Sequence, residues 1–474
     1  MSITSLTFAG LVLLTLAFYY ALPRRAQNFL LLGVSYAFYA TWSWWYLLML
    51  WALTLANFWL AQRVRRNGQP RRGALWAGIA VNVAALAVLK YEAFFVPGLR
   101  ATLDRIGVQT GAGGLDVLLP VGMSFYIVAV ISYQADVYRG LIAPADDLVD
   151  FAVYLAYFPK LLAGPIERAR TFLPKLAAPR VVDDDALQRA TALIVVGAVR
   201  KIVIADTLFA ALPSGLWDAP RQFAAPELAG YLLIYAFALY NDFAGYTGVA
   251  RGVSALFGIE LAENFSAPYF ARSLTEFWNR WHITLSHWLR DYIYFPTSRA
   301  LLRRNPRRDN IPNLIAPPLL TMLVSGLWHG IGWTMLLWGV LHGLYLVAER
   351  ALALWRPAGP PHLQPRWRQA LAIGVVFVLV LLAWVPFRAP EVGAARDYWL
   401  GMLDWSDLSR PSYHAFIALL PALWLDWVQV RRGDPLHFLR WSRPVQAALL
   451  ALALLAVFLF SQADLGAPFV YQGF

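Results

Sequence analysis

Two histidines, His329 and His342, stand in "SGLWHGIGWTMLLWGVLHG" (Ser325 to Gly343), a stretch otherwise apolar enough for a lipid bilayer. Each is followed directly by glycine. An ionisable group at membrane depth costs roughly 2.5 kcal/mol or more when charged, so each such residue is a functional candidate. A buried, neutral imidazole at His329 could take the proton from an attacking hydroxyl while an acyl thioester is cleaved, which is the work of a general base. Gly326, Gly330 and Gly332 nearby lack side chains and let the backbone leave the helix beside a cavity. The alternative is a histidine hydrogen-bonded between packed helices.

Three further stretches carry chemistry. "SLTEFWNRWHITLSHWLRDYIYFP" (Ser273 to Pro296) holds His282 and His287 with Arg280, Arg290 and Asp291 close by, and Trp278, Trp281 and Trp288 suited to the bilayer interface. Its spacing predicts that Glu276, Arg280, His287, Arg290 and Asp291 share part of one helix surface. Such a face is either a solvated amphipathic helix or the mouth of a cavity where arginines meet the phosphates of an anionic donor. "LYNDFAGYTGVARG" (Leu239 to Gly252) ends an apolar run with Asn241 and Asp242, and a buried carboxylate there needs a partner. The tail "GAPFVYQGF" sets Tyr471 among phenylalanines, which on its own reads as an interfacial anchor.

These residues need helices to hold them. The chain has 474 residues, 59% of them hydrophobic and 14% charged, a balance far more apolar than that of soluble domains. Apolar windows long enough to cross a bilayer recur from end to end: Ser5 to Leu22, Gln27 to Trp42, Trp44 to Ala61, Ala74 to Phe95, Val117 to Gln134, Ala190 to Leu212 and Leu228 to Val249. Leu314 to Trp328, Trp333 to Ala348, Ala370 to Pro386, His414 to Val430 and Val445 to Phe460 complete a set of about ten to twelve crossings. The expected fold is therefore an all-α polytopic membrane protein, a single embedded domain over residues 1–474. Asp150 to Arg180 reads as an interfacial or re-entrant helix and then a cytoplasmic loop, and Arg251 to Asn313 as an amphipathic element at the membrane face.

The formal net charge of +12 sits in short runs between apolar segments, including "RVRRNGQPRR" (Arg63 to Arg72) and "RRNPRR" (Arg303 to Arg308). Topology explains it better than nucleic-acid binding. The N-terminal apolar run reads as a retained helix, and Arg24 and Arg25 after it place the N-terminus outside the cytoplasm. With no cysteine, disulfides, thiolate metal sites and a cysteine acyl-enzyme are excluded, and no metal-ligating pattern is evident.

Taken in order, these stretches resemble the membrane-bound O-acyltransferase (MBOAT) family, most closely the bacterial branch that contains the alginate O-acetyltransferase membrane subunit. The likeness is carried by "LLGVSYAFYATW" (Leu32 to Trp42), "LPVGMSFYIVAVISYQADVYRG" (Leu119 to Gly140), "FPKLLAGPIERARTF" (Phe158 to Phe172), "YNDFAGYTGVARG" (Tyr240 to Gly252), "ENFSAPYFARSLTEFWNRWHITLSHWLRDYIY" (Glu263 to Tyr294) and "GLWHGIGWTMLLWGVLHGLYLVAER" (Gly326 to Arg350), over about two-thirds of the chain.

The resemblance implies a bundle of helices around a central tunnel, with His329 the essential histidine of the WHG motif, Trp328 and His342 beside it, and His282 the second tunnel histidine. It implies acyl transfer, acetyl first, from a cytoplasmic acetyl-CoA or acyl-carrier thioester used as substrate, with no permanently bound cofactor. The product would pass to polysaccharide or peptidoglycan at a bacterial inner membrane, through an extracytoplasmic or membrane-anchored acetyltransferase partner and an acyl carrier protein on the donor side. "FVYQGF" resembles an acyl-accepting tail in which Tyr471 would carry a phenolic ester. D-alanyl transfer to teichoic acid, or a transporter or flippase that makes no covalent bond, are the alternatives. One departure stands out: "LRDYIY" is followed here by "FPTSRALLRRNPRRDN" (Phe295 to Asn310) and not by the glycine-rich "LGGN" turn of close alginate-type relatives.

Overall fold

The computed structural model describes residues 1–66, 68–90, 120–355, 365–409 and 414–461. Within them the chain is helical apart from loops and one antiparallel pair of two-residue strands, Arg65–Arg66 with Gln69–Pro70, a small departure from the all-α expectation. Two compact units emerge: Met1–Ala190 with Ala250–Ala262, and Thr191–Val249 with Glu263–Phe474.

In the first unit, α1 (Leu6–Tyr19) is capped by Ser5, whose side chain accepts a hydrogen bond from the Phe8 amide, and α2 (Arg24–Ala40), α3 (Trp44–Val64), α4 (Arg72–Lys90) and α5 (Met123–Arg139) follow. The outer face of α3 exposes Trp44, Trp51 and Trp59, while its inner face buries Asn57. An amide in an apolar bundle must find partners. Asn57 exchanges hydrogen bonds with Asn82 of α4 at 3.0 and 2.7 Å and accepts another from Gln134 of α5 at 2.5 Å. Gly78 makes this possible, because a Cβ there would lie 1.8 Å from the Gln134 carbonyl oxygen.

The sequence reads Asp150 to Arg180 as a helix and then a loop, but the helix is α6 (Leu148–Ala156), and residues 157–168 leave helical geometry while staying buried. Irregular backbone at depth is tolerated only inside protein. Here Glu167 accepts from the Ala262 amide at 2.6 Å, and α7 (Ala169–Ala177) then begins.

The second unit holds the histidines. It takes in most of α8 (Asp184–Ala198), a π-helical turn at Val199–Ala205, α9 (Asp206–Ala210) and most of the 32-residue α10 (Ala225–Leu256). It continues through α11 (Leu274–Trp278), α12 (Ile283–Leu289), a second π turn at Arg290–Tyr294 and α13 (Phe295–Arg304). Then come α14 (Ile311–His329), α15 (Trp333–Trp355), α16 (Arg366–Arg388), α17 (Val392–Gly401), α18 (His414–Ile417), α19 (Leu419–Arg432) and α20 (Arg443–Ser461).

Two expected crossings are interrupted: Ala190 to Leu212 by the π turn, and His414 to Val430 between α18 and α19. Among the described residues five helices are long and apolar enough to cross a membrane, namely α3, α14, α15, α16 and α20, with Leu6–Tyr19 and Arg72–Val88 as shorter apolar helices. The larger hydropathy count includes segments that fall short of that length or apolarity, and residues outside the described ones.

Helices α14 and α15 are joined by three residues and meet backbone to backbone. A Cβ on Gly326 would lie 2.4 Å from the Met335 carbonyl oxygen, and one on Gly339 would lie 2.6 Å from that of Met322. Gly343, directly after His342, would meet Leu319 at 2.8 Å. Small residues allow this approach, which apolar side chains alone would hold at ordinary helix spacing.

Gly326→Leu or Gly339→Leu is therefore expected to destabilise the protein by about 1–3 kcal/mol or to prevent its accumulation. Gly10→Ala and Gly33→Ala, where nothing lies within 4 Å, should be neutral or slightly stabilising. Thermal unfolding in detergent compares the four.

Candidate active site

His329 is the last residue of α14, and the chain after it turns out at Gly330, in extended conformation with φ −175° and ψ 160°. The helix break expected at the WHG turn is present, although Gly330 does not use a glycine-only conformation. The imidazole is 3% exposed. Its ring lies 4.8 Å from Trp328, 5.2 Å from Trp338 of α15 and 5.2 Å from Phe387 of α16, centroid to centroid and all edge to face. Three helices thus enclose it.

His282 reaches the same cluster by another route. Its ring lies 5.7 Å from Trp328 and 4.8 Å from Phe243 of α10. Its backbone is left-handed, with φ 41° and ψ 54°, a conformation that costs a non-glycine residue about 1 kcal/mol or more unless the surroundings enforce it. The enforcement is visible: the Ile283 amide donates to the Asn264 carbonyl at 2.9 Å, the Thr284 hydroxyl to the Asn264 side chain at 2.7 Å, and the Ser266 amide to the Arg280 carbonyl at 3.0 Å. Burial lowers the pKa of His282, so the ring is neutral near pH 7.

That kink corrects the expectation of one continuous helix surface from Glu276 to Asp291. The chain is helical only to Trp278, turns through Asn279 to His282, and restarts as α12. Arg280 pairs with Glu276 at 2.6 Å, and Glu276 also holds Arg272 at 3.2 Å. Arg290 pairs with Asp291 at 3.1 Å, on the second π turn. These half-buried ion pairs flank the histidine cluster without entering it.

His342 is fully buried on α15, 4.9 Å from Trp338 and 5.0 Å from Trp278. Trp281 is buried as well and packs on Trp384 of α16 at 4.9 Å. The structure brings His282, His329, His342, Trp278, Trp281 and Trp328 together; Trp278 and Trp281, which the sequence reads as interfacial, are buried here, and Trp338, Trp384 and Phe387, which read as ordinary apolar helix positions, join them.

Asn241 and Asp242 lie elsewhere in this unit, facing the first π turn. Arg200 donates to Asn241 at 2.9 Å and to Asp426 of α19 at 2.7 Å, and the Tyr240 hydroxyl donates to Asp426 at 2.8 Å. Lys201 pairs with Asp242 at 2.8 Å and Asp206 at 2.7 Å. The partner that Asp242 needs is thus Lys201, and both residues belong to a buried ionic network. Gly197 and Gly245 bring the backbones together, since a Cβ on Gly245 would lie 2.6 Å from the Lys201 amide. Tyr471 lies outside the described residues.

A cavity of about 280 Å³ opens beside the cluster. Trp278, Arg290, Met322, Leu346 and Arg350 line it, and Tyr294, Phe295 and Arg350 are shared with a neighbouring cavity that Arg308 also borders. Its character is an apolar chamber with cationic edges. His329 does not line it; Trp278 does, and Trp278 touches Trp338 at 5.8 Å. Among the described residues no cluster of histidines and carboxylates could hold a metal ion.

Comparison with known proteins decides what this assembly belongs to. The MBOAT, membrane-bound O-acyltransferase family matches residues 145–385, which contain His282, His329 and His342. The chain belongs to the membrane-bound O-acyltransferase family. It is 38% identical to a protein of Azotobacter vinelandii named a probable alginate O-acetylase, over 84% of this chain and 78% of that one. It is 29% identical to a peptidoglycan O-acetyltransferase of Helicobacter pylori, over 82% and 77%. It is 31% identical to a teichoic acid D-alanyltransferase of Streptococcus thermophilus, over 63% and 74%. This MBOAT protein is a membrane-embedded O-acyltransferase.

The ionic network yields a separate expectation. Arg200→Ala leaves Asp426 charged and buried with Tyr240 alone, and should cost about 3–5 kcal/mol. Replacing the pair together, as Arg200→Met with Asp426→Leu, should recover much of that loss in thermal unfolding, because no isolated charge is left.

Proposed function

We propose that this O-acyltransferase takes an acetyl group from a cytoplasmic thioester and passes it through a tunnel in the bacterial inner membrane to an extracytoplasmic polysaccharide or peptidoglycan. The observation that carries the reading is the enclosure of His329 by Trp328, Trp338 and Phe387 at a helix end, with a second histidine, His282, against the same Trp328. The aromatic walls hold the ring at the helix end in a fixed orientation, and an imidazole so held can serve as a base toward a hydroxyl brought against it.

In the proposed step His329 accepts the proton of the acceptor hydroxyl as that oxygen attacks the thioester carbonyl. The carbon–oxygen bond forms, the carbon–sulfur bond breaks, and the proton passes from His329 to the departing thiolate. His282 shapes the tunnel at Trp328 or assists. Tyr471 serves as the first acceptor, its phenol carrying the acetyl as an ester until a membrane-anchored or extracytoplasmic acetyltransferase partner moves it on. Acetyl-CoA or an acyl carrier protein supplies the thioester as a substrate, and no resident cofactor takes part.

Acetyl is favoured by the higher identity and greater coverage of the relatives named as alginate O-acetylases. Transfer of D-alanyl to teichoic acid is the second reading, supported by the relatives so named. The positive-inside pattern supports an N-terminus outside the cytoplasm.

Purified protein given radiolabelled acetyl-thioester should label Tyr471 and release free thiol. His329→Gln should lower that transfer by about 10²-fold or more with an unchanged unfolding temperature. A His329→Gln enzyme that transfers acetyl at the wild-type rate removes His329 as base. Intact-mass analysis of the C-terminal peptide reads the group: an increase on Tyr471 should match acetyl and be absent from Tyr471→Phe.

A further inference from the structure

One stripe of α15 runs from the cavity to His329. Arg350 and Leu346 line the cavity, His342 lies one turn further along, and Trp338 one turn beyond that touches the His329 ring at 5.2 Å. The spacing of four residues keeps all of them on one face, and twelve residues span about 18 Å. Trp278 lines the cavity on one side and packs on His342 and Trp338 on the other. This indole therefore separates the chamber from the histidines.

The groups along the stripe share a second property. His342 is 0% exposed, yet neither Nδ1 nor Nε2 has a hydrogen-bond partner in the described structure. The indole nitrogens of Trp278, Trp338 and Trp384 are also buried without a partner, as is the Ser325 hydroxyl one turn before His329. Buried polar atoms are nearly always satisfied, and an unsatisfied imidazole with the unsatisfied indoles of Trp278 and Trp338 packed on it marks the place of a polar visitor. An indole N–H can only donate, so the visitor must bring acceptors. Carbonyl oxygens are such acceptors.

We propose that His342 is a specificity-determining residue: it hydrogen-bonds an amide of a carbonyl-bearing thioester arm that enters from the Arg290 and Arg350 chamber once Trp278 moves aside. This rests on the acyl-transfer reading above and adds the residue that reads the arm of the donors named there, whose backbone-like amides a plain alkyl thioester lacks. Trp278 and Trp338 meet its carbonyl oxygens, and His342, which in its neutral form both donates and accepts, can meet either end of an amide. A site built to hydrogen-bond a substrate group rejects an analogue that lacks it, because its own polar atoms stay unpaired.

The test uses the full-length protein in nanodiscs and two donors, S-acetyl-pantetheine, which has two amides, and S-acetyl-butanethiol, which has none. For His342→Leu the KM for S-acetyl-pantetheine should rise about tenfold with kcat little changed, the kinetics with S-acetyl-butanethiol should not move, and His342→Gln should restore part of the discrimination. Equal slowing of both donors, or loss of kcat alone, would show a merely structural histidine and overturn the proposal. Binding of the non-transferable S-ethyl thioether of pantetheine, read from indole fluorescence, separates the two levels of argument. If His342→Leu weakens that binding about tenfold even in a His329→Gln background, the arm site stands whatever becomes of the base. If the thioether binds His342→Leu as well as wild type while acetyl transfer proceeds, the arm site falls and the acyl-transfer reading survives.

Discussion

Direct backbone contact between α14 and α15 is the constraint on which the histidine cluster depends. Gly326 rests on the Met335 carbonyl and Gly339 on that of Met322, so two helices that consist largely of apolar residues approach closely without the aid of a hydrophobic force between them. Only at that spacing can Trp338 of one helix wall His329 of the other while His342 packs behind the same indole. The glycine after His342 is thus a packing residue, and the glycine after His329 marks where the helix stops.

A second constraint is the treatment of charge. Arg200 and Lys201 are consecutive, yet each is committed to different carboxylates, Asp426 for one and Asp242 with Asp206 for the other. Each group is buried, and each would be expensive without its partner. The network ties the first π turn to α10 and α19, and α10 also supplies Phe243 to His282. The ionic pairs and the aromatic cluster are therefore held by a common helix. Aromatic rings fill the remainder, and their edge-to-face contacts orient the imidazoles.

Much of the site was legible because ionisable and indole side chains are conspicuous in apolar sequence. His282, His329, His342, Trp278, Trp281 and Trp328 all converge, and the break at the WHG turn could be read from its glycines. Periodicity shows which residues share a face, but not which helix that face meets. Asp426, Trp384 and Phe387 were missed for this reason: Arg200 and Asp426 are 226 residues apart. The error over Glu276 to Asp291 has another cause. A left-handed histidine is only weakly signalled by its own residue type, and the force that imposes it comes from Asn264 and Ser266, in a stretch that the sequence reads as part of one amphipathic element. Likewise, among the described residues five helices satisfy both the length and the apolarity of a crossing, because buried polar residues and π turns interrupt runs that hydropathy alone joins.

The first π turn has a geometric corollary. A π turn accommodates one residue more than the α-helix around it, so α9 leaves Val199–Ala205 about 100° out of phase with the helix that entered. Without that extra residue Arg200 and Asp206 would keep regular helical phase, and Lys201 would not meet Asp206 and Asp242 together. The offset acts as a register key, and a gap-free comparison of this helix with a relative that lacks it would displace every downstream position by about 100° around the helix axis.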